Sequence, residues 1–233
     1  MNLKDARALV TGGSEGIGYA IAEALVAKGA QVAIMGRDKR KLEAAAETLG
    51  ALALPGDVGV EADAVRVTAA AIAQLGGLDI LVNNAGFGHF LSLVDMTAEK
   101  FEAVFRTNVT GAMLMAREAA RHFIDQERGH IVNVGSTSGL SGGKYSTAYS
   151  GSKFALRGMS ECWRAELRPY NIRVTLVNPS EVQSAFFAKL VRNQELSEKK
   201  LRPQEIADSV VGALEIDERG FIPEFAVFAT NPW

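Results

Sequence analysis

The chain has 233 residues, 48% hydrophobic and 22% charged, which suits one soluble domain with a full core. A formal net charge of −2 without a basic run argues against a nucleic-acid or anionic-membrane surface, and no stretch of about 18 apolar residues is available to span a bilayer. The single cysteine, Cys162, excludes an internal disulfide and a cysteine zinc cluster, and an N-terminus lacking the apolar core of a signal peptide leads to the expectation of a cytoplasmic protein.

Short runs rich in Val, Ile and Leu alternate with longer segments of helical period, the pattern of a parallel sheet flanked by helices. Strands are predicted at Arg7–Thr11, Gln31–Met35, Leu52–Pro55, Ile80–Asn83, His130–Val134, Arg173–Asn178 and Phe225–Ala229. Helices are predicted at Gly16–Lys28, Lys39–Leu49, Ala62–Gln74, Ala98–Phe123, Ala148–Arg168 and Pro203–Leu214, with Asp38 and Thr97 as capping residues. The fold class is α/β: one domain over residues 1–233, a doubly wound, seven-stranded parallel sheet with helices on both faces. Gln183 to Lys200 is polar and weakly periodic, and reads as a loop or a helical lid.

The first strand runs into TGGSEGIG, Thr11 to Gly18, and then into a helix. Gly12, Gly16 and Gly18 permit a tight turn that lets backbone N–H groups meet a pyrophosphate at the helix N-terminus, with Ser14, Glu15 and Ile17 between them. At the end of the second strand stands Arg37, where an NAD-binding chain of this architecture carries an acid for the ribose 2′-hydroxyl. A guanidinium suits a 2′-phosphate instead, so NADP(H) is expected over NAD(H), with Glu15 as the opposing charge. The bland alternative is a solvated surface arginine. Asp57 and Val58 follow the third strand, and Asn83, Asn84, Ala85 and Gly86 follow the fourth, both at the sheet edge where ligands bind. Asp57 either accepts from an adenine amine or caps the next helix.

Ser136, Tyr149 and Lys153 place a hydroxyl, a phenol and an ammonium in one short run. If the run from Tyr149 is helical, a separation of four puts phenol and amine on one face, a turn apart. A tyrosine base at neutrality needs a shift of about three pKa units, roughly 4 kcal/mol, and a nearby ammonium is expected to supply part of it. Tyr145 lacks such an amine partner, because the residue four positions on is Tyr149. His89, His122 and His130 show no metal-ligand spacing, so no metal is expected.

Together, Thr11-Gly12 with Gly16 and Gly18, Asp57, the NNAG run, Asn108, Ser136 and YSGSK resemble the short-chain dehydrogenases/reductases over nearly the whole chain. The resemblance implies a Rossmann fold and hydride exchange between a nicotinamide cofactor and a carbonyl or alcohol. Tyr149 would be the general acid, Ser136 would bond the reacting oxygen, Lys153 would bind the nicotinamide ribose, and Asn108 would hold a water linking Lys153 to solvent. Ser138, Tyr145 and His89 are the candidates facing substrate, His89 being equally a solvated loop residue. After the sixth strand the family has Pro-Gly and a Thr for the carboxamide; this chain has Pro179, Ser180, Val182 and Ser184, so Pro179, Val182 and Ser184 are assigned to the cofactor. A substrate-covering segment at about 183–202 and the ending FIPEFAVFATNPW also depart from the pattern. The expected activity is NADPH-dependent carbonyl reduction, most like 3-oxoacyl-[acyl-carrier-protein] reductases, with a small-molecule or acyl-thioester substrate. An NAD-linked alcohol or sugar dehydrogenase and a non-catalytic nucleotide-binding regulator are the rivals. Members of the family commonly pair through the helices holding Asn108 and Tyr149, so a homodimer or homotetramer is expected, with Phe101, Phe105, Met113, Met115 and Trp163 as candidate apolar surface.

Overall fold

The computed structural model describes residues 1–184 and 197–231. In chain order it runs β1 (Arg7–Thr11), α1 (Gly16–Ala27), β2 (Gln31–Gly36), α2 (Lys39–Leu49), β3 (Leu52–Pro55), α3 (Glu61–Leu75) and β4 (Ile80–Asn83). There follow α4 (Ala98–Phe105), a π-helical turn (Arg106–Gly111), α5 (Ala112–Asp125), β5 (Gly129–Val134), α6 (Thr147–Leu167), β6 (Ile172–Pro179), α7 (Pro203–Leu214) and β7 (Glu224–Val227). The strands form one seven-stranded sheet in the order β3-β2-β1-β4-β5-β6-β7, every neighbouring pair parallel. The order reverses between β1 and β4, so the loops leaving their carboxyl ends diverge and open a crevice there.

Side chains alternate across the strands and feed two cores. Leu9 and Val10 are adjacent on β1 and both fully buried, yet Val10 packs with Ile21, Leu25, Leu42 and Val210 of α1, α2 and α7, while Leu9 packs with Val67, Met115 and Phe123 of α3 and α5. With both faces covered, β1 and β4 carry almost only apolar residues, which is why they read as continuous runs in the sequence. The capping expectations hold: Asp38 Oδ1 accepts from Lys41 N at 3.1 Å and Thr97 Oγ1 from Lys100 N at 3.3 Å.

Two elements differ from expectation by more than one residue at an end. The single helix predicted over Ala98–Phe123 is divided by the π turn. Its sequence, RTNVTG, combines β-branched residues with glycine, all weak helix formers. The wider turn brings Asn108 inward, to 2% exposure, while Val104 before it and Met115 after it still face the interior. β7 begins at Glu224 rather than Phe225 and ends at Val227, because its pairing with β6, where Leu176 meets Glu224 and Pro179 meets Val227, sets its limits rather than its apolar content.

The loop-or-lid expectation for Gln183–Lys200 falls largely on residues 185–196, outside the described residues. The flanks of that segment are joined: Val182 bridges Leu201, Gln183 Nε2 donates to Ser197 O at 2.6 Å, and Ser197 N donates back to Gln183 Oε1 at 2.6 Å. Among the described residues no helix is long and apolar enough to cross a membrane, and no cluster of side chains is arranged to hold a metal ion.

Candidate active site

The two motifs at the crevice interlock. Thr11 Oγ1 accepts from Asn84 N at 3.0 Å and Ala85 N at 3.1 Å, while Asn84 Nδ2 donates to Thr11 O at 3.0 Å and Gly12 O at 3.2 Å. Gly12 adopts φ +65°, a left-handed conformation that favours glycine. A Cβ at Gly18 would lie 2.4 Å from both Asn84 Nδ2 and Gly12 O, so α1 can approach the loop only at a glycine. Asn83 points the other way, into the core, where its Nδ2 donates to Ala112 O and to Asn133 Oδ1, whose own amide reaches Ser160 Oγ.

A cavity of about 730 Å³ opens over this loop. It runs from the end of β2, with Arg37 and Lys41, to the end of β5, with Ser136. Those strands lie three positions apart in the sheet, roughly 14 Å, a span suited to an extended dinucleotide. At the β2 end Arg37 is largely exposed, its Nη1 3.9 Å from Asp57 Oδ2. Lys41 donates to Glu15 Oε2, and that carboxylate holds the ammonium above its usual pKa. Asp57 does not cap α3, whose first residue follows Val60; its Oδ1 accepts from Gly59 N at 2.9 Å and closes a local turn.

At the β5 end α6 presents Tyr149 and Lys153 a turn apart, as the spacing predicts. Lys153 Nζ lies 5.7 Å from the Tyr149 ring centroid and donates to Val134 O at 2.8 Å. Burial lowers Lys153 to about 8. Burial also pushes the Tyr149 phenol up, and the hydrogen bond from Ser136 draws it only partly back. The phenol is thus raised in this state, against the sequence expectation that Lys153 lowers it: the protein packed around the pair disfavours both charged forms. Ser136 Oγ accepts from Ser138 N at 3.1 Å, which leaves the hydroxyl hydrogen to be donated.

The sequence profile of the short chain dehydrogenases matches residues 6–195. The chain belongs to the short chain dehydrogenase family. An uncharacterized oxidoreductase of Staphylococcus aureus strain USA300 is 34% identical over 215 residues, 91% of this chain and 92% of the relative. The 3-ketoacyl-(acyl-carrier-protein) reductase of Brucella melitensis, solved with NADH, superposes with a TM-score of 0.89 at 28% identity, covering 99% of this chain and 100% of that one. An alcohol dehydrogenase of the archaeon Thermococcus sibiricus, solved with 5-hydroxy-NADP, gives a TM-score of 0.87 at 25% identity over 96% of each chain.

In this short chain dehydrogenase every residue assigned to the cofactor from the sequence lines the cavity except Gly18, which packs beneath the loop against Asn84. Ser136 and Ser138 line it as well. Asn108 does not: its Oδ1 accepts from Phe87 N at 3.0 Å, and its Nδ2 donates to Phe87 O and Ser152 Oγ, each at 2.9 Å. Both amide hydrogens are thus used to tie the π turn to the loop after NNAG and to α6. Tyr145 and His89, expected to face substrate, lie outside the cavity lining. Tyr145 sits at φ +64° with 60% of its surface exposed, and His89 meets the Phe87 ring edge-on at 5.5 Å. Phe90, one residue after His89, lines the cavity instead, with its ring 5.4 Å from that of Tyr149. Thr107, Lys41 and Glu181 also line the cavity and went unassigned. The spacing of Lys41, three residues after the Asp38 cap, carries a signal, since it places the amine in the first turn of α2 beside Arg37.

Proposed function

We propose that the protein is an NADPH-dependent carbonyl reductase, with Ser136, Tyr149 and Lys153 converging on one end of a cavity floored by the glycine loop as the observation that carries the reading. Gly12, Ser14, Glu15, Gly16 and Ile17 line the cavity at the N-terminus of α1, where a pyrophosphate would meet backbone N–H groups, and this fits a nicotinamide dinucleotide. When bound, that cofactor supplies the hydride to the carbonyl carbon. The Tyr149 hydroxyl gives its proton to the carbonyl oxygen, and Ser136 donates a hydrogen bond to the same oxygen as negative charge develops. Lys153 would bind the nicotinamide ribose, and its ammonium would favour the phenolate left behind. Asn108 holds the Phe87 loop in place against α6; a water between Lys153 and solvent would fall to its remaining oxygen lone pair or its backbone. NADPH is favoured over NADH because Arg37 and Lys41 both line the β2 end of the cavity and Lys41 is paired with Glu15, muting one of the acids there that oppose a 2′-phosphate.

The named relatives act on acyl thioesters and alcohols, and both readings are kept to one test. Phe90 packs its ring 5.4 Å from that of Tyr149 and Phe87 also lines the cavity, which favours a neutral ketone or thioester over an anionic sugar acid. The purified protein is offered NADPH or NADH with 3-oxoacyl thioesters, simple ketones and sugars. Oxidation of NADPH by a ketone or thioester, lost in Tyr149→Phe with cofactor binding intact, supports the reading. Retention of turnover in Tyr149→Phe, or no oxidation with any carbonyl, refutes it.

We also place the protein in the cytoplasm as a homo-oligomer joined through α4, α5 and α6. Phe101 and Phe105 stack at 4.5 Å on α4, and Phe154 of α6 is 44% exposed, while Met115, expected at that surface, is fully buried. A monomeric mass by light scattering at micromolar concentration would overturn the assembly.

A further inference from the structure

Ser136 stands two residues beyond the last residue of β5, where the sheet ladder no longer fixes it. A side chain takes over: Ser136 N donates to Asn178 Oδ1 at 3.2 Å, beside the bond from Gly135 N to Val177 O at 2.7 Å. Asn178, 1% exposed on β6, donates through Nδ2 to Glu224 Oε1 at 2.8 Å. Glu224, the first residue of β7, accepts from Arg157 Nε at 2.9 and 3.1 Å through its two oxygens. Arg157 lies four residues after Lys153 on α6, so the helix that carries the phenol and the amine also reaches the far end of this chain of bonds.

The polarity of the chain is determined. A carboxylate only accepts, so Glu224 must face the amide NH₂ of Asn178, and the carboxamide oxygen is thereby turned to the Ser136 N–H. The approach also requires Gly135, since a Cβ there would lie 2.3 Å from Asn178 Oδ1. The hydroxyl of Ser136 is fixed in turn by Ser138 N.

We infer that Asn178, oriented by the Arg157–Glu224 ion pair, is a positioning residue for carbonyl reduction that sets where Ser136 Oγ meets the substrate oxygen. The inference rests on the reading of Ser136 as donor to that oxygen. An Oγ displaced by a fraction of an ångström loses the transition-state bond without emptying the cofactor site, so the effect belongs to kcat.

The test measures kcat, KM for the best ketone or thioester of the panel, and NADPH affinity by fluorescence, for Asn178→Leu alone and combined with Ser136→Ala. Asn178→Leu is expected to lower kcat by about 10- to 100-fold with NADPH affinity within about twofold, and to lower it no further in the Ser136→Ala background. If Asn178→Leu does not fold, a polarity swap replaces it. Asn178→Asp alone sets two carboxylates together and loses kcat. Combined with Glu224→Gln it regains most of that loss, because the new carboxamide donates to the new carboxylate and its oxygen accepts from Arg157. Losses that multiply with those of Ser136→Ala, a kcat left within twofold by Asn178→Leu, or a swap that restores nothing overturns the inference while leaving Ser136 its role. A Ser136→Ala variant with undiminished turnover overturns the reading of Ser136 and this inference with it.

Discussion

The ammonium of Lys153 donates to the backbone oxygen of Val134 at 2.8 Å, holding α6 against the end of β5 from a position only 6% exposed. Burial lowers this amine to about 8, from an unfolded value of 10.5. The folded state thus binds its proton more weakly than the unfolded chain. Below pH 8 both states are protonated and the penalty is fully present; between pH 8 and 10.5 the unfolded chain holds more protons, and stability from this group rises with pH. The full difference is roughly 3 kcal/mol. Melting curves of the cofactor-free protein should therefore show wild type gaining on Lys153→Met across that window; a constant offset would mean that Lys153 titrates elsewhere.

The Tyr149 phenol is raised by burial and drawn partly back by Ser136. Removing the hydroxyl in Ser136→Ala should raise the phenol further, since the bond favours the phenolate. Tyrosinate absorbance against pH, with Tyr149→Phe as the blank, reads the shift directly. A lower pKa in Ser136→Ala would reverse the assigned sense of the hydrogen bond.

The sheet was legible in the sequence because both faces of β1 and β4 are covered, so each strand is a near-continuous apolar run, closed by Gly12 after β1 and by Asn83 and Asn84 at the end of β4. The floor of the cavity was legible because backbone conformation demands glycine at Gly12 and closeness demands it at Gly18, whatever lies elsewhere in the chain. The π turn was not, because the buried residues on either side of it, Val104 and Met115, are spaced in the sequence by about three turns of an unbroken α-helix. Nor was the aromatic neighbour of Tyr149: Tyr145 and Phe90 are both aromatic residues in loops near the motifs, and only the backbone, left-handed at Tyr145, decides which one faces Tyr149. The link from Ser136 to Arg157 joins residues far apart in the chain through three different elements, and local pattern carries none of it.

Lys41 neutralises Glu15 beside Arg37 at the β2 end of the cavity. Lys41→Met should release that carboxylate toward a 2′-phosphate, weakening NADPH about 10-fold and NADH less than about twofold. Arg37→Asp should go further and invert the preference. Fluorescence titration with both cofactors decides: an equal loss for NADPH and NADH in Lys41→Met would show that the ion pair shapes the loop rather than the choice of cofactor.

Gly18 faces the backbone oxygen of Gly12, where an added methyl would stand at 2.4 Å with no flexible side-chain end to absorb the clash. Either α1 moves away from the loop or the loop moves off Asn84. Gly18→Ala should then destabilise the fold by about 1–3 kcal/mol and weaken NADPH binding at the same time, because the same displacement misplaces the N–H groups that would meet the pyrophosphate. Gly142→Ala is the control: a Cβ there meets nothing within 4 Å, and its effect should stay within about 0.5 kcal/mol. Denaturant unfolding and cofactor titration of both variants separate the outcomes. Unchanged stability and affinity in Gly18→Ala would mean that the loop and α1 tolerate a wider spacing than the interlocked Thr11 and Asn84 bonds imply.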